Sequence, residues 1–160
     1  MKTTGARKLA SDGGSFGDGN DRSRIKNAAT DYDDLSRVAS VTSYDHLTVD
    51  ADHVVNQVAL SYNGRGQLSF DKQSHDDEVT TDTPKVEYFY ADGSANHARP
   101  TGMTYPNGRA VDYLYGDSNS HANQLSRVSS LYCESHGDAV TMSQSYQYLG
   151  LGQIVQSTAN

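Results

Sequence analysis

The densest stretch of potentially reactive side chains in this 160-residue chain is His75-Asp76-Asp77-Glu78, with Asp71 and Asp82 nearby. Carboxylate oxygens at that density are the hard ligands that Ca²⁺ takes. The alternating spacing and the glycine of a calcium loop are missing, and a solvated loop between strands explains the run equally well. Asp45-His46 and Asp50-Ala51-Asp52-His53 form a second grouping. On a strand Asp50 and Asp52 share one face while His53 points away, which is poor geometry for a common ion. His46 and His53 stand seven residues apart with no helical pattern to bring them together, so a polar insertion between strands is expected. Ser43, Asp50 and His53 supply the types a small hydrolase would need, but no Gly-x-Ser-x-Gly elbow exists to expose a serine nucleophile. Cys133 has His136 three residues on and Glu134 beside it; the adjacent negative charge raises a thiol pKa, so an incidental cysteine is expected. Gly64-Arg65-Gly66 and Gly150-Leu151-Gly152 open no helix within a βαβ unit, so they are read as turn glycines rather than a phosphate cradle. No catalytic residue, metal ligand or cofactor is assigned.

The elements that carry these residues are constrained by composition. Leu, Ile, Val and Phe make up about 17% of the chain, under the roughly 20% usual for a self-sufficient core. Tyr supplies 11 residues, Gly 14 and Pro 3, with no Trp. No stretch approaches the ~18 consecutive apolar residues of a membrane span. A net charge of −7 argues against a general nucleic-acid backbone binder, and a lone cysteine excludes an internal disulfide framework. Residues 1–24 are rich in Gly, Ser, Asp and Arg, and read as a flexible, disordered lead without the apolar stretch of a secretory signal. From Ile25 onward short apolar runs recur between Gly, Asn, Asp and Pro clusters, so residues 25–160 are read as one array.

That array is a repeat. A tyrosine closes an alternating run, a polar or glycine turn follows, and a second run begins with an aliphatic residue. The first two instances are Tyr32-Asp33-Asp34-Leu35-Ser36-Arg37-Val38 and Tyr62-Asn63-Gly64-Arg65-Gly66-Gln67-Leu68. Tyr88-Phe89-Tyr90 leads to Tyr105-Pro106-Asn107-Gly108-Arg109, and Tyr113-Leu114-Tyr115 leads to Leu125-Ser126-Arg127-Val128. Tyr146-Gln147-Tyr148-Leu149-Gly150-Leu151-Gly152-Gln153-Ile154 is the fifth. The closing tyrosines are Tyr32, Tyr62, Tyr90, Tyr115 and Tyr148, whose uneven spacing means loops of variable length on a fixed unit. The period is two: Val58, Leu60 and Tyr62 share a strand face, as do Val111, Tyr113 and Tyr115. Asn63-Gly64, Asn107-Gly108 and Asp92-Gly93 are expected to supply the positive φ of tight hairpin turns. No window sustains a helical stripe, so helix should be minor. The expected fold is all-β, an antiparallel array of about five hairpins forming a curved strip or partial shell.

At these residues the chain resembles the Rhs/YD-repeat family, whose unit reads roughly Tyr-x-Tyr-Asp-x-x-Gly-Arg-Leu followed by a turn and another strand. Tyr32-Asp33 through Arg37 is close, with Ser36 in place of Gly, while the second unit keeps Gly66 but has Asn63 and Gln67. Tyr105-Pro106-Asn107-Gly108-Arg109 is similar to the family's inter-repeat turn, and the last unit has Leu149 where Asp is expected. The resemblance implies hairpins that link into a long β-strip spiralling into a hollow shell, as in toxin-encapsulating and adhesion proteins. It implies a structural, non-enzymatic role for Tyr32, Asp33, Arg37, Tyr62, Gly64, Gly66, Tyr88, Tyr90, Tyr105, Gly108, Arg109, Tyr113, Tyr115, Arg127, Tyr146, Tyr148, Gly150 and Gly152. It also implies a secreted or cell-surface parent of which this chain is a fragment. Neighbouring repeats, or self-association through open strand edges, are the expected partners, with no nucleic acid and no membrane insertion. The alternative is a glycan- or protein-binding module that uses exposed tyrosine faces.

Overall fold

Alternation with a period of two gives strands throughout the array. The computed structural model describes residues 5–6, 25–49, 51–92, 98–134, 141–150 and 152–159. The expected disordered lead, residues 1–24, lies outside them except for Gly5–Ala6. The strands are β1 (Gly5–Ala6), β2 (Asn27–Tyr32), β3 (Val38–Tyr44), β4 (Val54–Tyr62), β5 (Leu68–Ser74), β6 (Lys85–Tyr90), β7 (Pro100–Thr104), β8 (Ala110–Leu114), β9 (Ser130–Glu134), β10 (Thr141–Leu149) and β11 (Gln153–Ala159). Helix is confined, among the described residues, to α1 (His121–Gln124) and a single 3-10 turn at Ala51–His53. The all-β expectation is met.

The chain divides into two bodies, Met1–Lys85 and Val86–Asn160. In the first, β1 to β5 pair antiparallel, each with the next in chain order. In the second, β6 to β11 do the same. Chain-order pairing follows from short connections, because an antiparallel neighbour needs only a turn to reach. The register slips by one residue at Tyr32, Tyr62, Tyr90 and Tyr148, where these pair with Val38, Leu68, Pro100 and Ile154. Each slip leaves one residue of the following strand unpaired, a bulge that raises the local twist. The repeat seen in sequence is thus also a repeat in register.

Among the described residues neither body shows a two-layer core. Among the described residues only Ala29, Thr42, Tyr44 and Gly102 are buried, and no large side chain is fully enclosed. All nine residues of β4 are half-buried, as expected where each side chain meets cross-strand neighbours but nothing stacks above it. In β8, Val111 and Tyr113 are half-buried while Asp112 and Leu114 face solvent. Cross-strand pairs, each contributing about 0.2–1 kcal/mol, therefore carry most of the cohesion.

Candidate functional site

The first turn shows why the unit has an acidic or amide residue after its tyrosine. Asp33 N–H donates to the Arg37 carbonyl at 2.8 Å, and Ser36 N–H donates to the Asp33 carbonyl at 2.9 Å. Ser36 has φ 61°, so the loop is a type I turn closed by a left-handed third residue. Asp33 Oδ1 accepts from the Leu35 and Arg37 amides, both at 2.9 Å. The second turn repeats this form: Asn63 Oδ1 accepts from Arg65 at 2.9 Å and from Gln67 at 3.1 Å, and Gly66 takes φ 82°. A side-chain oxygen, not a charge, is what the turn requires.

The left-handed residue of the second turn is Gly66, so the expectation that Asn63-Gly64 supplies the positive φ is corrected. The loop has three residues, which moves the left-handed slot two positions on. At the opposite end of its strands the Tyr105–Arg109 turn has the same backbone form, with Gly108 at φ 81° as expected. Tyr105 offers no side-chain acceptor, and Asn107 Oδ1 takes the Arg109 amide at 3.1 Å instead. In the fifth unit, where Leu149 replaces Asp, the positive φ moves to Gly150. Gly93 lies outside the described residues.

Hairpins are joined at three steps by a clasp in which a tyrosine hydroxyl bonds a main-chain carbonyl, and at two of them an arginine also lies over the tyrosine ring. Tyr62 donates its hydroxyl to the Val38 carbonyl at 2.9 Å, and the Arg37 guanidinium lies 4.3 Å above the Tyr62 ring. Tyr115 donates to the Pro100 carbonyl at 2.8 Å, with Arg99 4.8 Å above its ring. Tyr148 donates to the Val128 carbonyl at 2.7 Å, and Arg127 reaches to 3.1 Å from where a Cβ on Gly152 would stand. In all three the acceptor is the residue after the arginine, and the donor closes the next hairpin. In the second unit this arginine position holds Gln67.

Two of the arginines have supports of their own. Asp33 holds Arg37, its Oδ2 accepting from Nε at 2.7 Å and lying 2.6 Å from Nη2. Those hydrogen bonds to Arg37 hold the Asp33 carboxyl below its ordinary pKa. One Arg37 nitrogen, Nη1, is buried without a hydrogen-bond acceptor, which leaves the Tyr62 ring to stabilise that side of the cation. Among the described residues no aspartate is paired with Arg99; Asn123 of α1 and Ser126 just beyond it serve instead, through the Asn123 carbonyl, Asn123 Oδ1 at 3.2 Å and Ser126 Oγ at 3.1 Å. Ser120 caps that short helix, accepting from Asn123 N–H at 3.2 Å. Burial raises the pKa of Tyr113, with Tyr105 adding to the effect. Burial also raises that of Tyr115, partly opposed by Arg99.

The loop between β3 and β4 corrects a second expectation. His46 and His53 stack with ring centroids 4.6 Å apart and planes 19° from parallel. The loop closes because Asp45 N–H donates to the His53 carbonyl at 3.0 Å, which seven residues without a helix do not forbid. His53 Nδ1 is 3.0 Å from Asp45 Oδ1, and His46 Nδ1 accepts from Thr48 N–H at 3.1 Å. Stacked rings aim their nitrogens side by side rather than at one point, which suits packing better than shared coordination. Ser43 sits in β3 between Ala28 and Asn56, while Asp50 lies outside the described residues.

His75, Asp76, Asp77 and Glu78 are exposed, and Asp77 Oδ1 accepts from the Glu78 amide at 2.7 Å. Asp71 pairs with Leu60 inside β5, and Asp82 stands exposed in a separate turn. Among the described residues no group of three or more His, Cys, Asp or Glu side chains is placed to hold a metal ion. Cys133 is half-buried in β9 opposite Val111, and His136 lies outside the described residues. One concave feature among the described residues is an open cleft of about 470 Å³ lined by Tyr105, Pro106, Asn107, Arg109 and Val111.

Arg99 and the three acceptor carbonyls were missed by sequence reading. The residues between Tyr90 and Arg99 conceal the unit's spacing, and a main-chain acceptor has no sequence signature. Compared with known proteins, the chain matches no family model and no curated protein.

Proposed function

We propose that this chain is a non-enzymatic wall segment of a YD-repeat protein, its hairpins forming part of a β-shell of the encapsulating or adhesion type. The observation that supports this most is the clasp, repeated at three steps with the same order of arginine, acceptor carbonyl and tyrosine. A clasp that locks each hairpin to the next is what a strip extended by repetition needs. Sheets one layer thick with two half-exposed faces are also what a wall presents to an interior and an exterior. The test is the coding sequence on both sides. Further in-frame hairpins with Tyr, a three-residue turn and Arg support the wall, whereas unrelated domains directly abutting residues 25–160 refute it.

A second reading, recognition of a glycan or protein, rests on the cleft at Tyr105. There an exposed ring stands beside the side chains of Asn107 and Arg109, and the volume falls within the ~300–1,000 Å³ of ligand pockets. Saturable glycan-array binding that Tyr105→Ala abolishes supports this reading, and an array without saturable signal refutes it.

A further inference from the structure

One contact recurs in the turns of this chain: a side-chain acceptor takes the main-chain N–H two residues on. Asp33, Asn63 and Asn107 do so with Oδ1, accepting from Leu35, Arg65 and Arg109 at 2.9, 2.9 and 3.1 Å. In the β3–β4 loop an imidazole fills the same role, with His46 Nδ1 accepting from Thr48 N–H at 3.1 Å. A main-chain amide can only donate, so Nδ1 is the bare nitrogen of His46 and the ring proton sits on Nε2.

His53 has the reverse arrangement. Its Nδ1 is 3.0 Å from Asp45 Oδ1, and an ionised carboxylate only accepts, so this Nδ1 carries the proton. A proton added to His53 goes to Nε2 and leaves its bond intact. A proton added to His46 goes to Nδ1 and turns the acceptor of the turn into a donor facing the Thr48 N–H. Because the rings stack 4.6 Å apart, protonating both also sets two like charges face to face. The main-chain closure of the loop, from Asp45 N–H to the His53 carbonyl, involves no titrating group. Among the described residues, the segments flanking the pair carry Asp45 and Asp52 on the loop itself, the buried Tyr44 beside it and Lys26 where β2 begins. Beyond β5 they carry the exposed His75, Asp76, Asp77 and Glu78.

We propose that the His46–Thr48 turn is a catch released by acid. Protonation of His46 breaks its bond to Thr48 and its stack on His53, and residues 46–49 let go while the Asp45–His53 closure stays. The Asn27 amide on the Leu47 carbonyl is left as a tether to β2, so the placing of Leu47, 71% exposed, depends on acidity. The catch works alike whether the array is a wall or a binding module.

The test is nuclear magnetic resonance of the nitrogen-15-labelled full chain. At about pH 8, where imidazoles are ordinarily neutral, His46 is expected as the Nε2–H tautomer and His53 as the Nδ1–H tautomer. Between about pH 8 and pH 5, the ring-to-ring Overhauser contact and the hydrogen-bonded shift of the Thr48 amide are expected to be lost together. The Asp45 amide is expected to keep its protection from exchange. His46→Asn supplies a side-chain oxygen that takes the same amide, as Asn63 does, and does not titrate. Its Thr48 shift is expected to stay constant over that range. Where circular dichroism shows this variant unfolded, the tautomers and the paired losses in the parent chain decide alone. A His46 with its proton on Nδ1 at the alkaline end, or a Thr48 amide that does not move on acidification, overturns the proposal. A Thr48 amide that moves equally in His46→Asn overturns it too.

Discussion

The Arg37–Tyr62 clasp allows its two interactions to be separated. Tyr62→Phe keeps the ring beneath the guanidinium but removes the hydroxyl that reaches the Val38 carbonyl at 2.9 Å, so it should cost about 1 kcal/mol, the net contribution of one hydrogen bond. Tyr62→Leu also removes the ring. With the cation 4.3 Å from the ring centroid and Arg37 about a quarter exposed, the cation–π contribution should be about 0.5–1 kcal/mol. A double-mutant cycle of Arg37→Met with Tyr62→Leu should therefore show coupling of about 0.5–1 kcal/mol. The cycle with Tyr62→Phe should show almost none, because the phenyl ring still holds the cation. Tyr44, at the other end of β3 and roughly 20 Å away at strand rise, is the control; its coupling to Arg37 should stay within about 0.5 kcal/mol of zero. The assay is urea unfolding followed by far-ultraviolet circular dichroism. Equal coupling for Leu and Phe, or none for Leu, would refute the stacking half of the clasp.

Gly66→Ala should lower the urea midpoint by the equivalent of about 1–2 kcal/mol, since φ is 82° there. Gly64→Ala, with open space around its Cβ and no positive φ, should be neutral or stabilising by up to about 1 kcal/mol. Asp33 has a lowered pKa because it accepts hydrogen bonds from Arg37. Its contribution is therefore present above the ordinary carboxylate range and lost as pH falls through the folded value. Asp33→Asn should flatten the acid side of a stability–pH profile while its amide oxygen still caps the turn, as Asn63 does. Tyr113 and Tyr115 have raised pKa values, chiefly through burial. Their contribution is present below the ordinary tyrosine range and lost as pH rises through the folded values. Tyrosinate absorbance should show these two titrating late, and Tyr113→Phe should reduce the alkaline loss of stability.

Much of the fold was legible because a period of two is written in side chains. The Val111-x-Tyr113-x-Tyr115 stripe and the Tyr–turn–Arg order needed no tertiary information. The turn at Asn63 was misplaced because Asn-Gly is the strongest hairpin signal in sequence, yet here the asparagine works through its side-chain oxygen and the left-handed slot falls at Gly66. The His46–His53 stack was hidden because loop closure, not local periodicity, brings the rings together. Arg99 was hidden because its partners, Asn123 and Ser126, lie 24 and 27 residues away. The division falls after Lys85; glutamine stands in the arginine position of the second unit, Gln67, and of the fifth, Gln153, a difference visible in sequence only once the clasp is known.

The central claim is that one clasp recurs at successive hairpins. Nuclear Overhauser contacts between tyrosine ring protons and the residues across the strand test it most directly. The ring is expected to contact the acceptor residue three times, Tyr62 to Val38, Tyr115 to Pro100 and Tyr148 to Val128, and the arginine twice, Tyr62 to Arg37 and Tyr115 to Arg99. Rings that contact different partners at each step, or Arg37 and Arg99 without ring contacts, would contradict it.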